Sequence, residues 1–545
     1  MIERASNVLV TADELVRKQA KESKGKQTTR FPPALEWEVL MADAAVLSAL
    51  MNVFSETYAG YLKCLLALKR QVTTALLLYR TNNRPHSAHS KFTKLHKTVF
   101  PNGDASTQFE PHGPIEELIV SGTAFGFGVF NLALSILPRK IQRFISWFGF
   151  KYDQKSAIQA LEIAAQGKDA HAVFAALVLM LYMSLVLQMT SWQADAESMM
   201  RQYGNLVDPI SARYPSGNLW TLYRGKLMRL MREQDQAIAI LREGLKPGRV
   251  HVFKQADMLL VYELAWTLVG ERRYDEAAEM FMKMKELNSW SHATYHFLAA
   301  GCCISVGKLD QAQSLLDAIP GLTGKRVAGN RPPTEVFIDS KIAFYKEKQR
   351  RYGRSDARFV ESIKIGLAEE LGIFWNNQAH ISSSSAKEHI NILLRLTPYP
   401  DPCAVPRQSG YSAILDLDNS DEFAVRSLLL GICYHSIGDF NTSRRHLREA
   451  HSFHSTVKVS TWVSGISMFE LATLDLKQME AKCAKAKAKA EDWEKVLREA
   501  EHKLDTALVL SPQSVDLSSR FDSRVSMLKE EIKKKRDMLI VSVDV

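Results

Sequence analysis

Apolar residues recur three and four positions apart along most of the chain. This pattern predicts helix after helix, with almost nothing that reads as strand. From Trp37, the residues Leu40, Ala44, Leu47, Leu50, Met51, Phe54 and Tyr58 line one face of a helix that the pattern carries on to Lys69. From Ile115 onward helices follow one another, parted by turn signals such as Gly149, Gly167-Lys168-Asp169 and Tyr214 to Gly217. One arrangement then repeats. Residues 256–287 set Leu264, Ala265, Leu268, Tyr274, Ala277 and Phe281 at the small and large positions of a helix–turn–helix unit. Gly307, Leu309, Ala312 and Leu316 fall into matching slots, and so do Leu430, Gly431, Tyr434, Gly438, Phe440 and Leu447. A less regular copy starts near Asn218, with Gly225 and Ala237.

The period gives the repeat its class. Ala277 and Ala312 stand 35 positions apart, close to the tetratricopeptide period of about 34 residues. Ala237 and Ala277 are 40 apart, so a longer loop is expected between them. Two antiparallel helices approach closely only where one presents Gly or Ala. The predicted fold is therefore all-α, a TPR-like α-α superhelix built as a solenoid of helical hairpins, a scaffold suited to gripping proteins. Its expected organisation is a basic segment at 1–30, an N-terminal helical half at 31–210, TPR-like repeats at 211–330, helices with a late repeat (424–457) at 331–480, and charged helices at 481–545. Residues 478–509 read as an exposed capping helix or a coiled-coil arm, with Trp493 open to a partner, and 515–540 as one more amphipathic helix.

Composition narrows the function classes. The 545 residues are 46% hydrophobic and 24% charged, which suits a folded protein. The net charge of +10 is scattered over Arg17 to Arg30, Lys482 to Lys489 and Lys533 to Arg536, which reads as solvated helix faces and not as a nucleic-acid patch. Six dispersed cysteines without a CxxC pair fit a reducing compartment, and the N-terminus has no secretory-signal pattern. Leu118 to Leu137 is 20 residues without a charge, about the length a membrane span needs. Gly122, Gly126, Gly128, Ser121, Thr123 and Asn131 dilute it, and a solenoid helix sandwiched between neighbours is apolar all round without lipid. Ala172 to Leu187 is apolar but shorter.

Candidate chemistry is sparse. Gly324-Lys325 lacks the Ser/Thr and the preceding strand of a phosphate loop, and Gly126-Phe-Gly128 lacks the strand of a dinucleotide fingerprint. His292 and His296 are four apart, yet no further ligands complete a metal site. His446, His451 and His454 read as helix surface, and Ser382 to Ser385 as a loop or helix cap. No G-x-S-x-G elbow occurs. No catalytic, cofactor or metal site is predicted, and the residues singled out are structural repeat positions.

Three stretches are more particular: FPPALEWEVLMADAAVLSALMNVFSETYAGYLKCLLALK from Phe31, AHSKFTKLHKTVFPNG from Ala88, and GTAFGFGVFNLALSILPRKIQRFISWFGFKYDQKSAI from Gly122. Together with the repeats they resemble the fungal inclusion body clearance family, related to the animal tetratricopeptide-repeat thirty-nine proteins. The resemblance runs from Phe31 to Leu476. It implies a noncatalytic helical repeat protein without cofactors that binds lipid-droplet proteins and inclusion-body components after folding stress, in cytoplasm and nucleus. Some relatives are placed at the mitochondrial outer membrane, so the alternative it implies is a protein attached there or at lipid droplets through 118–137. Family members run from the equivalent of Leu68 almost straight into Ser87, so 70–86 reads as an insertion, as a retained intron would produce. They also carry more helix before Phe31, so the N-terminus reads as truncated.

Overall fold

The computed structural model describes residues 2–23, 29–54, 96–99, 111–135, 153–248, 254–288, 291–323, 331–398, 415–484, 490–512 and 515–543. The helix end expected at Lys69, the insertion at 70–86 and Lys325 lie outside them. The described residues contain helices and turns and no strand. They form two compact units, 1–182 and 183–545.

Unit one holds α1 (Ile2–Glu22), α2 (Leu35–Phe54), α3 (Pro114–Ser135), α4 (Gln154–Ala165) and the first part of α5 (Ala170–Thr190). In sequence order, α1 packs on α2, α2 on α3 and α3 on α4. The glycines that dilute the apolar run at 118–137 explain how α3 fits between its neighbours. A Cβ on Gly122 would stand 2.5 Å from Val39 Cγ1 of α2, and one on Gly128 would stand 2.6 Å from Leu161 Cγ of α4. Asp153 caps α4, its carboxylate accepting from the Ser156 N–H at 3.0 Å.

Unit two takes in the end of α5 and then α6 (Ala196–Arg213), and continues as hairpins: α7 (Asn218–Leu230) with α8 (Gln234–Glu243), α9 (Lys254–Gly270) with α10 (Tyr274–Leu287), and α11 (His292–Ser305) with α12 (Leu309–Asp317). Ten residues part the end of α8 from the start of α9, a longer interval than between α10 and α11, as the 40-residue spacing predicts. After α13 (Pro333–Arg351), the short α14 (Leu367–Gly372) and α15 (Ser383–Arg395), pairing resumes. Here α16 (Ser420–Ser436) pairs with α17 (Phe440–Ser452), and α18 (Val463–Cys483) with α19 (Ala490–Val509), followed by α20 (Ser518–Val543).

Four hairpins share one internal register. A small residue on the first helix is followed sixteen positions later by a bulky one on the second: Gly225 and Leu241, Ala265 and Phe281, Ala300 and Leu316, Gly431 and Leu447. All four bulky residues are buried. A Cβ on Gly225 would lie 2.8 Å from Leu241 Cγ, so glycine is what lets α7 and α8 close. Twelve positions after each small residue come Ala237, Ala277, Ala312 and Ser443, all fully buried. The Ser443 hydroxyl donates to the Gly431 carbonyl across the hairpin at 2.7 Å.

Seven positions after each small residue the backbone turns left-handed, at Arg232 (φ 65), Arg272 (φ 59), Gly307 (φ 78) and Gly438 (φ 83). The next N–H then bonds back to a carbonyl five residues earlier: Glu233 to Met228, Arg273 to Leu268, Lys308 to Cys303, each 2.9 Å, and Asp439 to Tyr434, 3.0 Å. Gly307 and Gly438 are thus exposed turn residues with open space around them, not contact points between helices.

The charged C-terminal region corrects the expected arm. α19 packs along α18 and buries Trp493, Leu497, Ala500, Leu504 and Ala507. Trp493 is only 5% exposed, 6.2 Å from the Trp192 ring and capped by Lys535 Nζ at 4.8 Å. The covering element is α20, which buries Phe521, Val525, Leu528 and Ile532.

Candidate functional site

The sequence-predicted repeat positions occupy two kinds of place. Gly225, Ala237, Leu264, Ala265, Tyr274, Ala277, Phe281, Ala312 and Gly431 are buried in hairpin contacts. Tyr434 and Phe440 are half-buried beside the last hairpin, and Gly307 and Gly438 form turns. These residues build the scaffold and converge on no common chemistry.

The interior of unit two holds α20 through one fully buried cation. The Arg524 guanidinium donates to Met189 O and Ile373 O at 3.0 Å each, to Asn376 Oδ1 at 2.9 Å and to Glu470 Oε1 at 3.2 Å. Arg520 lies 4.0 Å over the Trp375 ring. Segments distant in sequence therefore meet on one helix. Other pairs, buried but for the half-buried Lys226, tie separate helices together: Arg229 and Lys226 with Glu263 at 2.7 and 2.8 Å, Lys348 with Glu422 at 2.6 Å, and Lys341 with Glu370. Burial disfavours the Glu263 carboxylate, but the charges of Lys226 and Arg229 hold it down at about 2.

A cavity of about 220 Å³ lies beside the α9–α10 turn, lined among others by Arg272, Tyr274, Glu369, His389 and Cys433. Tyr274 donates its hydroxyl to Glu369 Oε1 at 2.5 Å, with the Arg272 guanidinium 5.4 Å from the Tyr274 ring centre. Burial raises the Glu369 carboxyl, pulls His389 down to about 3 and pushes the Cys433 thiol up to about 12. The histidine and thiol stay uncharged at neutral pH, so this cavity contains neither thiolate nor imidazolium.

A Ser/His/Asp grouping among the described residues of unit one does not form a nucleophile. His171 Nε2 bonds Asp43 Oδ2 at 2.7 Å, and its Nδ1 bonds Asp169 Oδ2 at 2.8 Å. Ser121 donates to the same Asp169 oxygen at 2.5 Å. Both ring nitrogens are spent on carboxylates. Burial opposes the charge, but these two bonds raise His171 to about 9, so it is a cation and no general base for Ser121.

The other candidates are structural. His292 and His296 direct ring nitrogens to the carbonyls of Asn288 and His292, at 2.9 and 2.8 Å. No group of three or more metal-ligating side chains occurs among the described residues. His446 is buried, not on the surface as its polar helix suggests, and stacks on Tyr434 with ring centres 5.6 Å apart. Ser382 caps α15, accepting from the Ser385 N–H at 3.2 Å.

A family model described as Iml2/Tetratricopeptide repeat protein 39 matches residues 1–437. The chain is 27% identical over 368 residues to the inclusion body clearance protein of Schizosaccharomyces pombe, covering 64% of this chain and 60% of that protein's length. It is 21% identical over 542 residues to the inclusion body clearance protein of Yarrowia lipolytica, covering 80% of this chain and 73% of that one. It is 20% identical over 497 residues to an uncharacterized Schizosaccharomyces pombe protein, covering 87% of this chain and 78% of the other.

Proposed function

Because the chain belongs to the Iml2/Tetratricopeptide repeat protein 39 family, we propose that it is a noncatalytic scaffold that binds proteins during the clearance of inclusion bodies. Its partners in this reading are lipid-droplet proteins and inclusion-body components, met in the cytoplasm and nucleus after folding stress. The observation that carries the reading is the shared register of the four hairpins, with buried notches at Gly225, Ala265, Ala300 and Gly431. Such a stack presents surface for protein contact. Relatives in several fungi bear the inclusion-body name. Proximity labelling with the tagged protein, before and after heat stress, tests it. Enrichment of aggregate components and droplet proteins after stress is the expected result. A labelled set that stress leaves unchanged, without either group, rejects the reading.

A second reading is a protein attached to the mitochondrial outer membrane or the lipid-droplet surface through 118–137. α3 and α5 are long and apolar enough to cross a membrane. Against it stands the Ser121–His171–Asp169 cluster, which puts charge beside α3 where lipid would have to solvate it. Alkaline carbonate extraction separates the two: release into the supernatant supports the buried helix, and retention in the membrane pellet supports the anchor.

A further inference from the structure

A second cavity, of about 180 Å³, opens in unit two where the end of α5 and the start of α6, the α7–α8 turn, residues 379–380 and α18 meet. A water needs about 10–15 Å³ of such space, so there is room for a polyatomic ion with its hydration. Two cations line it, Arg232 and Lys477, against one carboxylate, Glu480, with Trp192 and Leu230 giving apolar wall. Neither cation forms an ion pair within 4 Å among the described residues. Arg232 uses Nη1 on the Ser436 carbonyl at 2.9 Å, while Lys477 feels Glu470 and Glu480 only through space. Burial and then the charge of Arg232 push the Lys477 ammonium down to about 8. His380 does not compete for the site. It faces the Gln188 carbonyl through Nε2 at 3.1 Å, and burial holds it neutral, at about 3.

Ser191 (φ 59) and Arg232 (φ 65) both line the cavity in the left-handed conformation. Non-glycine residues keep it only where their surroundings hold them. In the equivalent turns of the later hairpins, Gly307 and Gly438 take up this conformation without strain, while Arg272 (φ 59) holds it as Arg232 does. The Arg232 turn sets a guanidinium in the same cavity as an ammonium that forms no ion pair among the described residues. A planar guanidinium fork suits oxyanions, and a neighbouring ammonium adds a point charge.

We infer that this cavity is an oxyanion site, in which Arg232 and Lys477 together bind a phosphate group. The inference stands apart from the scaffold reading and does not need it. The group has two sources, a free ion or a phosphorylated side chain on a bound peptide, and the probes distinguish them. Calorimetric titration of the full chain with inorganic phosphate, and separately with a short phosphoserine peptide, is the test. Single-site binding is expected, weakened at least tenfold by Arg232→Gly and by Lys477→Met. Arg272→Gly, the matching turn one hairpin on, is expected to leave it unchanged. Arg232→Gly places glycine where the backbone favours it, so an unaltered helical melting curve shows that its lost affinity is not lost folding. Tighter binding of the peptide than of phosphate assigns the oxyanion to a partner chain, and equal binding assigns a free ion. Wild-type affinity in both cavity variants, or no binding of either probe to the wild-type chain, overturns the site.

Discussion

Leu447 of α17 lies directly against Gly431 of α16, so close that a Cβ on the glycine would stand 2.5 Å from Leu447 Cδ2. The hairpin can close only because nothing projects from position 431. Gly431→Val is therefore expected to destabilise unit two by about 1–3 kcal/mol through overpacking. Denaturant unfolding checks this: the midpoint falls while the slope stays constant. An unchanged midpoint would show that the helices are not in contact there. Ala277→Trp tests the same register one face over, at a fully buried alanine, with a similar expected loss.

The turn residues test the backbone instead of the packing. At Gly438 (φ 83), with open space around it, alanine meets no neighbour but must adopt a left-handed backbone. Gly438→Ala is expected to cost about 1 kcal/mol from backbone strain alone. Arg272→Gly removes that strain but gives up the contact of Arg272 with the Tyr274 ring, worth about 0.5–1 kcal/mol. It is expected to leave stability within about 0.5 kcal/mol of wild type, because the two effects offset each other. Thermal melts of the two variants decide it, and a strongly destabilised Arg272→Gly would mean that the side chain, not the backbone, sets this turn.

The hairpins were legible in the sequence because their partners lie a fixed, short distance apart. Gly225 and Leu241, or Ala265 and Phe281, meet across a single turn, so local spacing encodes their contact. Trp493 and Arg524 escaped the same reasoning. Each sits on a helix rich in charge, and what buries it comes from far away: α20 over Trp493, and Met189, Ile373 and Glu470 around Arg524. His446 was misread for a related reason. A polar residue on a polar helix gives no sign that Tyr434, on the preceding helix, will stack on it. The cavity at Arg232 and Lys477 is assembled from positions nearly 250 residues apart and has no local signature at all.

Arg524 supports a sharper prediction about α20. Glu470 is as buried as its partner, so Arg524→Met leaves a carboxylate without its cation in the interior. Breaking a buried pair from one side costs about 3–5 kcal/mol. The double variant Arg524→Met with Glu470→Gln removes the stranded charge and is expected to recover a large part of that loss. Unfolding midpoints of both single variants and the double variant measure the coupling directly. Additive losses would mean that Arg524 acts through the Met189, Ile373 and Asn376 contacts alone.

In unit one the imidazolium of His171, clamped by Asp43 and Asp169, makes stability depend on alkaline pH. Its folded value of about 9 lies above the unfolded value of about 6.5. The folded state thus binds the proton more tightly. The resulting stabilisation is complete below about pH 6.5 and is lost as pH rises through 9. The expected loss across that window is about 2–3 kcal/mol. His171→Gln keeps a hydrogen-bonding side chain without the charge, so the variant is expected to be less stable at pH 6 and to show a flatter profile between pH 6.5 and 9. Chemical denaturation of both proteins across that range provides the measurement. Parallel profiles would show that His171 is neutral in the folded chain and that Asp43 and Asp169 hold it by hydrogen bonds alone.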